Sequence, residues 1–168
     1  ALMQQNRGRV LSMIVEQAPL QKVLDALVEG AEHMDPSACC TVLLLDEQGI
    51  LHVASAPHLP EEYNAAIDGI AAGYGVGSCG TAAYLGQRVI VEDVRVHPYW
   101  HSYQALVDIA GIRSCWSEPI KNRRGKVLGT FAIYHKEVTA PSEQDIQLIS
   151  ESAALAEIVI ERSQAIEV

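Results

Sequence analysis

The stretch that decides the fold is Gly73-Tyr74-Gly75-Val76-Gly77-Ser78-Cys79-Gly80-Thr81-Ala82-Ala83-Tyr84-Leu85. Its glycines predict a loop, and its last residues predict a short helix that opens at Cys79 or Gly80. The GxGxxG match at 75–80 does not predict a dinucleotide site, because 68–72 is not an apolar strand and the next acidic residues come too early. The helix start instead offers free backbone N–H groups, which favour an anion or a polar ligand oxygen.

Outside this stretch, hydrophobic periodicity and turn residues predict an alternation of helices and strands. Helices are predicted in two runs up to residue 34, over 60–67 and 100–110, and from Ser142 onward. Strands are predicted over 38–46, 50–56, 88–92, 112–121 and 126–135. Because only hairpins join the long strands, we predict an antiparallel sheet with helices on its faces, in the α+β class.

Length and charge restrict the classes of function. The 168 residues include 12 Lys and Arg against 21 Asp and Glu, which gives a formal net charge of −9 and argues against nucleic-acid binding. The length fits one domain, and no apolar run is long enough to span a bilayer, so direct membrane contact is not expected. Four cysteines without a CxxC spacing favour the reducing cytoplasm. Both ends fall in or beside predicted helices, so we expect a piece of a longer protein.

The last predicted helix carries two apolar stripes, and this pattern is compatible with two different environments of the helix. Ile149 belongs to one stripe, whereas Leu155 and Val159 belong to the other, each at steps of three and four residues. Either both stripes form one wide surface facing the core, or the second stripe meets a partner chain together with the first helix. The second interpretation predicts a homodimer with Val10, Ile14, Ile149, Leu155 and Val159 at its interface.

Two groups of side chains near the glycine-rich stretch are candidates for function. Cys79 stands at the helix start, where the helix dipole favours a thiolate that would suit a nucleophile or a redox sensor. Because no second cysteine is near it in sequence, we expect a packing role for this thiol. Tyr99, Trp100 and Tyr103 cluster in a loop-rich segment, and they either line a small-molecule pocket or complete the core. The six histidines show no clear metal-ligand spacing.

Several segments belong together as one pattern: Gly-Val-Gly-Ser-Cys-Gly-Thr-Ala-Ala (75–83), Val-Ile-Val-Glu-Asp-Val (89–94), His97-Pro98, Arg-Ser-Cys-Trp-Ser-Glu-Pro-Ile (113–120) and Gly125-x-x-x-Gly129. This pattern resembles the GAF domain of bacterial sensor kinases and cyclic-di-GMP enzymes, over about 19–160. The resemblance implies a six-stranded antiparallel sheet sandwiched by helices, GAF/PAS-like, with long N- and C-terminal helices. It also implies an N-terminal signalling or dimerisation helix (1–18) and a single GAF domain (19–165) whose C-terminal helix spans 142–165.

The resemblance implies a regulatory domain, not an enzyme, that binds a small molecule and transmits its state through the terminal helices to an output domain outside this chain. A comparison within the family predicts which strand residues face the pocket and which face the paired helices. The expected ligand-binding residues are Ile70, Ser78, Cys79, Gly80, Thr81, Trp100, Tyr103, Cys115, Ser117, Ala132 and Tyr134. The residues identify no cofactor, and we expect a small anionic or zwitterionic ligand at the free N–H groups.

Five alternatives accompany this resemblance. The signature of the cyclic-nucleotide GAF domains is broken at His135-Lys136, Pro141 and Asp145-Ile146. The free methionine-(R)-sulfoxide reductases share the loop around Cys79, but their further cysteines fall on Gly69 and near Ile109. No cysteine stands in the context where phytochromes attach their bilin. A ligand-free dimerisation spacer, a reductase of this type and a Cys79 redox sensor are therefore weaker interpretations than a ligand sensor.

Overall fold

The computed structural model of the protein describes residues 2–167, so residue 1 of the predicted 1–18 segment lies outside the described part. The helices are α1 (Leu2–Val15), α2 (Leu20–Met34), α3 (Glu61–Ile67), α4 (Gly77–Leu85), α5 (Gln104–Ala110) and α6 (Glu143–Glu167). The strands are β1 (Ala38–Leu45), β2 (Ile50–Ser55), β3 (Ile70–Ala71), β4 (Val89–Val91), β5 (Ser114–Lys121) and β6 (Val127–His135). A 3-10 helix, Pro98–Tyr103, leads into α5.

The strands form one antiparallel sheet in the order β3-β2-β1-β6-β5-β4. Hairpins join β1 to β2 and β5 to β6, and the long strands β1, β6 and β5 lie at the centre. The register places Ile133 of β6 between Cys40 of β1 and Trp116 of β5. The predicted α+β class with a six-stranded antiparallel sheet is therefore confirmed.

Three elements differ from the sequence prediction by more than a residue or two at their ends, each for a local reason. Strand β3 has only two residues, too few to show a period of two, and it exists through its pairing with β2. Helix α4 begins at Gly77 rather than at Cys79 or Gly80, and Gly77 has a φ of 59°, a left-handed value that its lack of a side chain permits. The segment before α5 winds as a 3-10 helix from Pro98, whose fixed φ suits a first helical position.

The helix side of the sheet holds the larger apolar core. Helices α2 and α6 pack directly on the strands, and α1 lies over both helices. Trp116, Phe131 and Ile133 point into this core and are at most 1% exposed, as the predicted strand alternation requires. Helix α6 begins with the predicted capping box, in which the Ser142 N–H donates to Asp145 and the Asp145 N–H donates to Ser142 Oγ.

Both apolar stripes of α6 are buried against other parts of the same chain. Val10, Ile149, Leu155 and Val159 are at most 4% exposed and belong to one core cluster, against which the half-buried Ile14 also packs. Helix α1 of the same chain therefore covers the surface of α6 that was predicted to contact a partner chain. The four buried side chains are not available to a second copy in this arrangement. Within 2–167, no helix combines the length and the apolar character that a membrane span needs.

Candidate functional site

A cavity lies on the other side of the sheet, beneath α4 and the 3-10 helix and beside α3 and β3. The volume of this cavity that the centre of a water molecule can occupy is about 40 Å³. One water needs roughly 10–15 Å³ on this measure, so the cavity holds a few waters or a small molecule. Its wall includes the apolar side chains of Leu43, Leu51, Ile67, Ile70, Val76 and Leu106. Groups with a polar atom also line it, and these are Tyr63, Ser78, Cys79, Trp100, Tyr103 and Tyr134.

The structure brings most of the predicted site residues together at this cavity. Those that line it are Ile70, Ser78, Cys79, Gly80, Trp100, Tyr103 and Tyr134. Thr81, Cys115, Ser117 and Ala132 are also buried on this side, but they do not line the cavity. Helix α4 packs on β5 and β6, and this contact accounts for the separation. The predicted residues thus form one neighbourhood with two layers, a cavity wall and a buried layer next to it.

Sequence reasoning missed several wall residues, chiefly Leu43, Leu51, Tyr63, Ile67 and Leu106. Leu43 could be placed once the pairing of β1 with β6 was known. It stands two residues after Thr41, which pairs with Ala132, and Ala132 was already assigned to the pocket side. The alternation of strand residues then places Leu43 on the same face. The residues from α3 and α5 had no comparable signal, because their approach to the sheet is a tertiary contact.

Ser78 fixes the start of α4 against its surroundings. Its Oγ donates to the Cys115 carbonyl at 2.9 Å and accepts from Trp100 Nε1 at 3.0 Å. A Cβ added at Gly77 would lie 3.5 Å from the Trp100 ring, so the helix start and the indole are in close contact. These contacts join α4, β5 and the 3-10 helix into one rigid corner of the cavity.

Thr81 closes the glycine loop from inside. Its Oγ1 donates to the Gly77 carbonyl at 2.6 Å and accepts from the Gly75 N–H at 3.1 Å. Both hydrogen bonds are local to the loop and to the first turn of the helix. The Thr81 hydroxyl therefore shapes the loop, and it is not aimed at the cavity as a ligand partner.

Two tyrosines form the polar end of the cavity. Tyr63 Oη donates to Tyr134 Oη at 3.4 Å, and the two rings meet edge to face at 6.0 Å. Tyr134 Oη lies 3.8 Å from Cys79 Sγ. Burial raises the pKa of both tyrosine hydroxyls well above the ordinary value, so both are neutral hydrogen-bonding groups.

The two buried thiols of this region differ in acidity. Hydrogen bonding from Cys115 first, and from Ser117, Thr130 and Tyr134 in addition, lowers the pKa of Cys79 to about 6 against the opposing effect of desolvation. Burial, together with hydrogen bonding and the charge at Cys79, raises the pKa of Cys115 well above its ordinary value. Cys79 is therefore the thiol of this pair that ionises near neutral pH. The expectation that Cys79 has no cysteine near it holds only along the sequence.

The cavity wall contains no Asp, Glu, Lys, Arg or His. An anionic or zwitterionic ligand would find no charged side chain there and would depend on the N-terminus of α4 alone. The wall suits a small neutral molecule with one polar end better. In the described part of the chain, no three His, Cys, Asp or Glu side chains are grouped so that they could hold a metal ion.

Comparisons with known proteins agree with this architecture. The family model described as GAF domain matches residues 17–161. A methyl sulfide methyltransferase-associated sensor of Methanosarcina acetivorans is 41% identical over 161 residues, which is 95% of this chain and 16% of the sensor. The chain thus corresponds to about one sixth of that protein.

Solved structures share the fold at lower identity. The GAF domain of an Acinetobacter phosphoenolpyruvate-protein phosphotransferase superposes with a TM-score of 0.75 at 19% identity, covering 99% of this chain and 98% of the other. A domain of a sensor histidine kinase protein from Sinorhizobium meliloti gives a TM-score of 0.73 at 20% identity, covering 88% and 94%. The architecture, the glycine-loop corner and the match of the family model lead to one conclusion: the chain belongs to the GAF domain family.

Proposed function

We propose that this GAF domain is the sensory module of a signalling protein and binds a small, neutral and mainly apolar molecule between α4 and the sheet. The observation that carries the proposal is the cavity itself, which has apolar walls and one polar end formed by Tyr63 and Tyr134. Such a combination binds ligands by apolar contact and orients them by a few polar groups. The ligand is proposed to be neutral because the wall has no charged side chain.

Signal transmission follows from the strands that both sides of the sheet share. In β5, Cys115 faces the cavity side and Trp116 faces the helix-side core. Helix α6 packs on β5 and β6, so a ligand that moves these strands also moves α6. A sensor is the named role of the Methanosarcina relative, and we place this chain in the same role, coupled to an output domain outside it. The four free cysteines support a reducing compartment such as the cytoplasm.

Thermal unfolding with small neutral probes tests ligand binding. Phenol, indole and cyclohexanol are added separately to the reduced protein, and at least one is expected to raise Tm in a saturable manner. Ile70→Phe fills the cavity and is expected to abolish the shift, whereas Val138→Phe, at an exposed position, keeps it. A shift that survives Ile70→Phe would contradict binding in this cavity. No shift with any probe would favour the ligand-free spacer.

A homodimer through α1 and α6 remains part of the proposal, with different contact residues from those expected. Because the predicted interface is mostly buried in the protomer, the contact would use the exposed apolar side chains Leu2, Val15 and Ile158, with Ile14 beside them. Light scattering at micromolar concentration is expected to give the dimer mass. Ile158→Glu is expected to give a folded monomer, and a monomeric unmodified protein would refute the dimer.

A further inference from the structure

A group of polar side chains lies at and next to the cavity, and apart from Tyr134 its members have no role in the proposed ligand binding. It consists of Cys79 and Cys115 with the hydroxyls of Ser117, Thr130 and Tyr134. Cys79 is 8% exposed and lines the cavity, whereas the other thiol and the Ser and Thr hydroxyls are fully buried. The tyrosine oxygen lies 3.8 Å from Cys79 Sγ. All five groups belong to one contact region between α4, β5 and β6.

Ser117 and Thr130 are the unusual members of this group. Neither hydroxyl has a partner with hydrogen-bond geometry in the structure, although both are 0% exposed. A buried hydroxyl without a partner is unfavourable, because it loses its hydrogen bonds to water and gains none in the protein. A thiolate is a far better acceptor than a thiol, and both hydroxyls act on Cys79 as donors that favour its charged form. The arrangement is therefore complementary to a Cys79 thiolate.

We propose that Cys79 and Cys115 form a two-thiol redox site, in which Cys79 is the attacking thiolate and Cys115 the resolving thiol, and that the oxidant is a small hydroperoxide that enters the cavity. This inference does not depend on the reversible ligand proposed above. It rests on the position of Cys79 in the cavity wall, on the neighbouring second thiol and on the unpartnered hydroxyls around them.

The chemistry balances with hydrogen peroxide as the oxidant. The Cys79 thiolate attacks one peroxide oxygen, the O–O bond breaks, and the hydroxide that leaves takes up a proton to become water. Cys79 is then a sulfenic acid, oxidised by two electrons while the peroxide is reduced. The Cys115 sulfur next attacks the Cys79 sulfur, the S–O bond breaks, and the hydroxyl leaves as a second water with the Cys115 proton. The products are one disulfide and two waters.

Size and acidity distinguish this site from the other two cysteines. Hydrogen peroxide has only two heavy atoms and the cavity has room for a few waters, so the peroxide fits beside Cys79 in the cavity wall. Cys40 lies in the opposite core, where burial raises the pKa of its thiol well above the ordinary value. Cys39 is half-buried, and burial raises the pKa of its thiol too. Neither is an activated nucleophile.

Peptide mapping tests the pair directly. The reduced protein is treated with hydrogen peroxide, the remaining thiols are alkylated, and a protease that cleaves after Glu separates 63–92, which contains Cys79, from 93–118, which contains Cys115. The expected product is a disulfide between these two fragments, with 33–47 still carrying both of its thiols in the alkylated form. Cys115→Ser is expected to accumulate a dimedone-reactive sulfenic acid at Cys79, and Cys79→Ser is expected to prevent both products.

A pair of matched variants tests the role of the hydroxyls. Thr130→Val removes a donor to Cys79, whereas Thr41→Val removes another buried, unpartnered hydroxyl that does not act on Cys79. The pH midpoint of the oxidation rate is expected near 6 in the unmodified protein. Thr130→Val is expected to raise that midpoint by about one unit, so the rate falls roughly five- to tenfold at pH 5.5 and is unchanged above pH 8. Thr41→Val should leave the profile unchanged.

Three results would overturn the proposal. They are oxidation at Cys39 or Cys40 ahead of Cys79, a rate midpoint above pH 8 in the unmodified protein, and equal profiles for the two Thr variants. Circular dichroism of each variant checks that it is folded, and Thr130→Ser serves in place of Thr130→Val as a variant that should keep the midpoint near 6. The Ile70→Phe probe experiment can fail while the 79–115 disulfide still forms, so the two proposals are distinguishable.

Discussion

The two faces of β5 and β6 contrast sharply, although the same strands form both. On the helix side, Trp116, Phe131 and Ile133 fill an apolar core with α2 and α6. On the cavity side, the alternate residues Cys115, Ser117 and Thr130 are small or polar. One face is thus filled by large side chains, and the other leaves space and unpartnered polar groups. The helix side is therefore expected to supply most of the stability, and the cavity side is the face at which we propose ligand binding.

The helix side should tolerate a buried charge least. Ile149→Glu places an unpaired carboxylate at a position that is 0% exposed, and we expect a loss of about 4 kcal/mol or more in the free energy of unfolding. Ser150→Glu, at an exposed position of the same helix, is the matched control and should change stability by less than about 0.5 kcal/mol. Urea unfolding measures both. A stable Ile149→Glu protein would show that this face is a chain–chain interface after all.

Removal of a large side chain from the same core should have the next largest effect. Phe131→Ala is expected to lower the free energy of unfolding by about 3–5 kcal/mol, because the ring is fully buried and its neighbours cannot collapse fully into the space. Tyr134→Phe, three residues along β6 on the cavity side, removes a hydroxyl and leaves Tyr63 Oη without its partner, and it should cost about 1–2 kcal/mol. If urea unfolding gave equal losses of unfolding free energy for the two variants, the two faces would not differ in their contribution to stability.

Cys79 should make stability depend on pH. Its folded pKa of about 6 lies below the ordinary value of 9.0, so between these values the folded chain binds fewer protons than the unfolded chain. The stabilisation is therefore absent well below pH 6 and grows as pH rises towards 8.5. Under reducing conditions, we expect Cys79→Ser to cost about 1 kcal/mol or less at pH 5.5 and progressively more up to pH 8.5. Cys40→Ser, on the helix side, should show no such growth over this range.

The smallest effect is expected at Ser117. At pH 5.5, where Cys79 is mostly protonated, Ser117→Ala removes a buried hydroxyl without a partner and should be neutral or stabilising by up to about 1 kcal/mol. At pH 8 the same change removes a donor to the thiolate, so the sign should reverse. A large loss at both pH values in urea unfolding would mean that this hydroxyl has a pH-independent partner.

Much of this architecture was predictable because it depends on local patterns. The strand alternation places Trp116 and Cys115 on opposite faces of the sheet. The capping box of Ser142 and Asp145 marks the start of the last helix, and the glycines of 73–80 require a loop before α4. The site neighbourhood was also largely predictable, since the family resemblance selects the residues around that loop. Local periodicity determines the type of an element and the face of each side chain.

The remainder depended on contacts between distant parts of the chain. Helix α1 covers α6, two residues at 70–71 become a strand, and Leu43 and Leu106 reach the cavity only after the sheet has formed. The proximity of Cys79 to Cys115, which lies 36 positions later in the sequence, is also a tertiary contact that local pattern does not predict. By itself the sequence determined the longer helices and strands, their faces and the family. Only the tertiary structure decided which faces meet and which thiol ionises, because both depend on burial and on neighbours that local pattern does not encode.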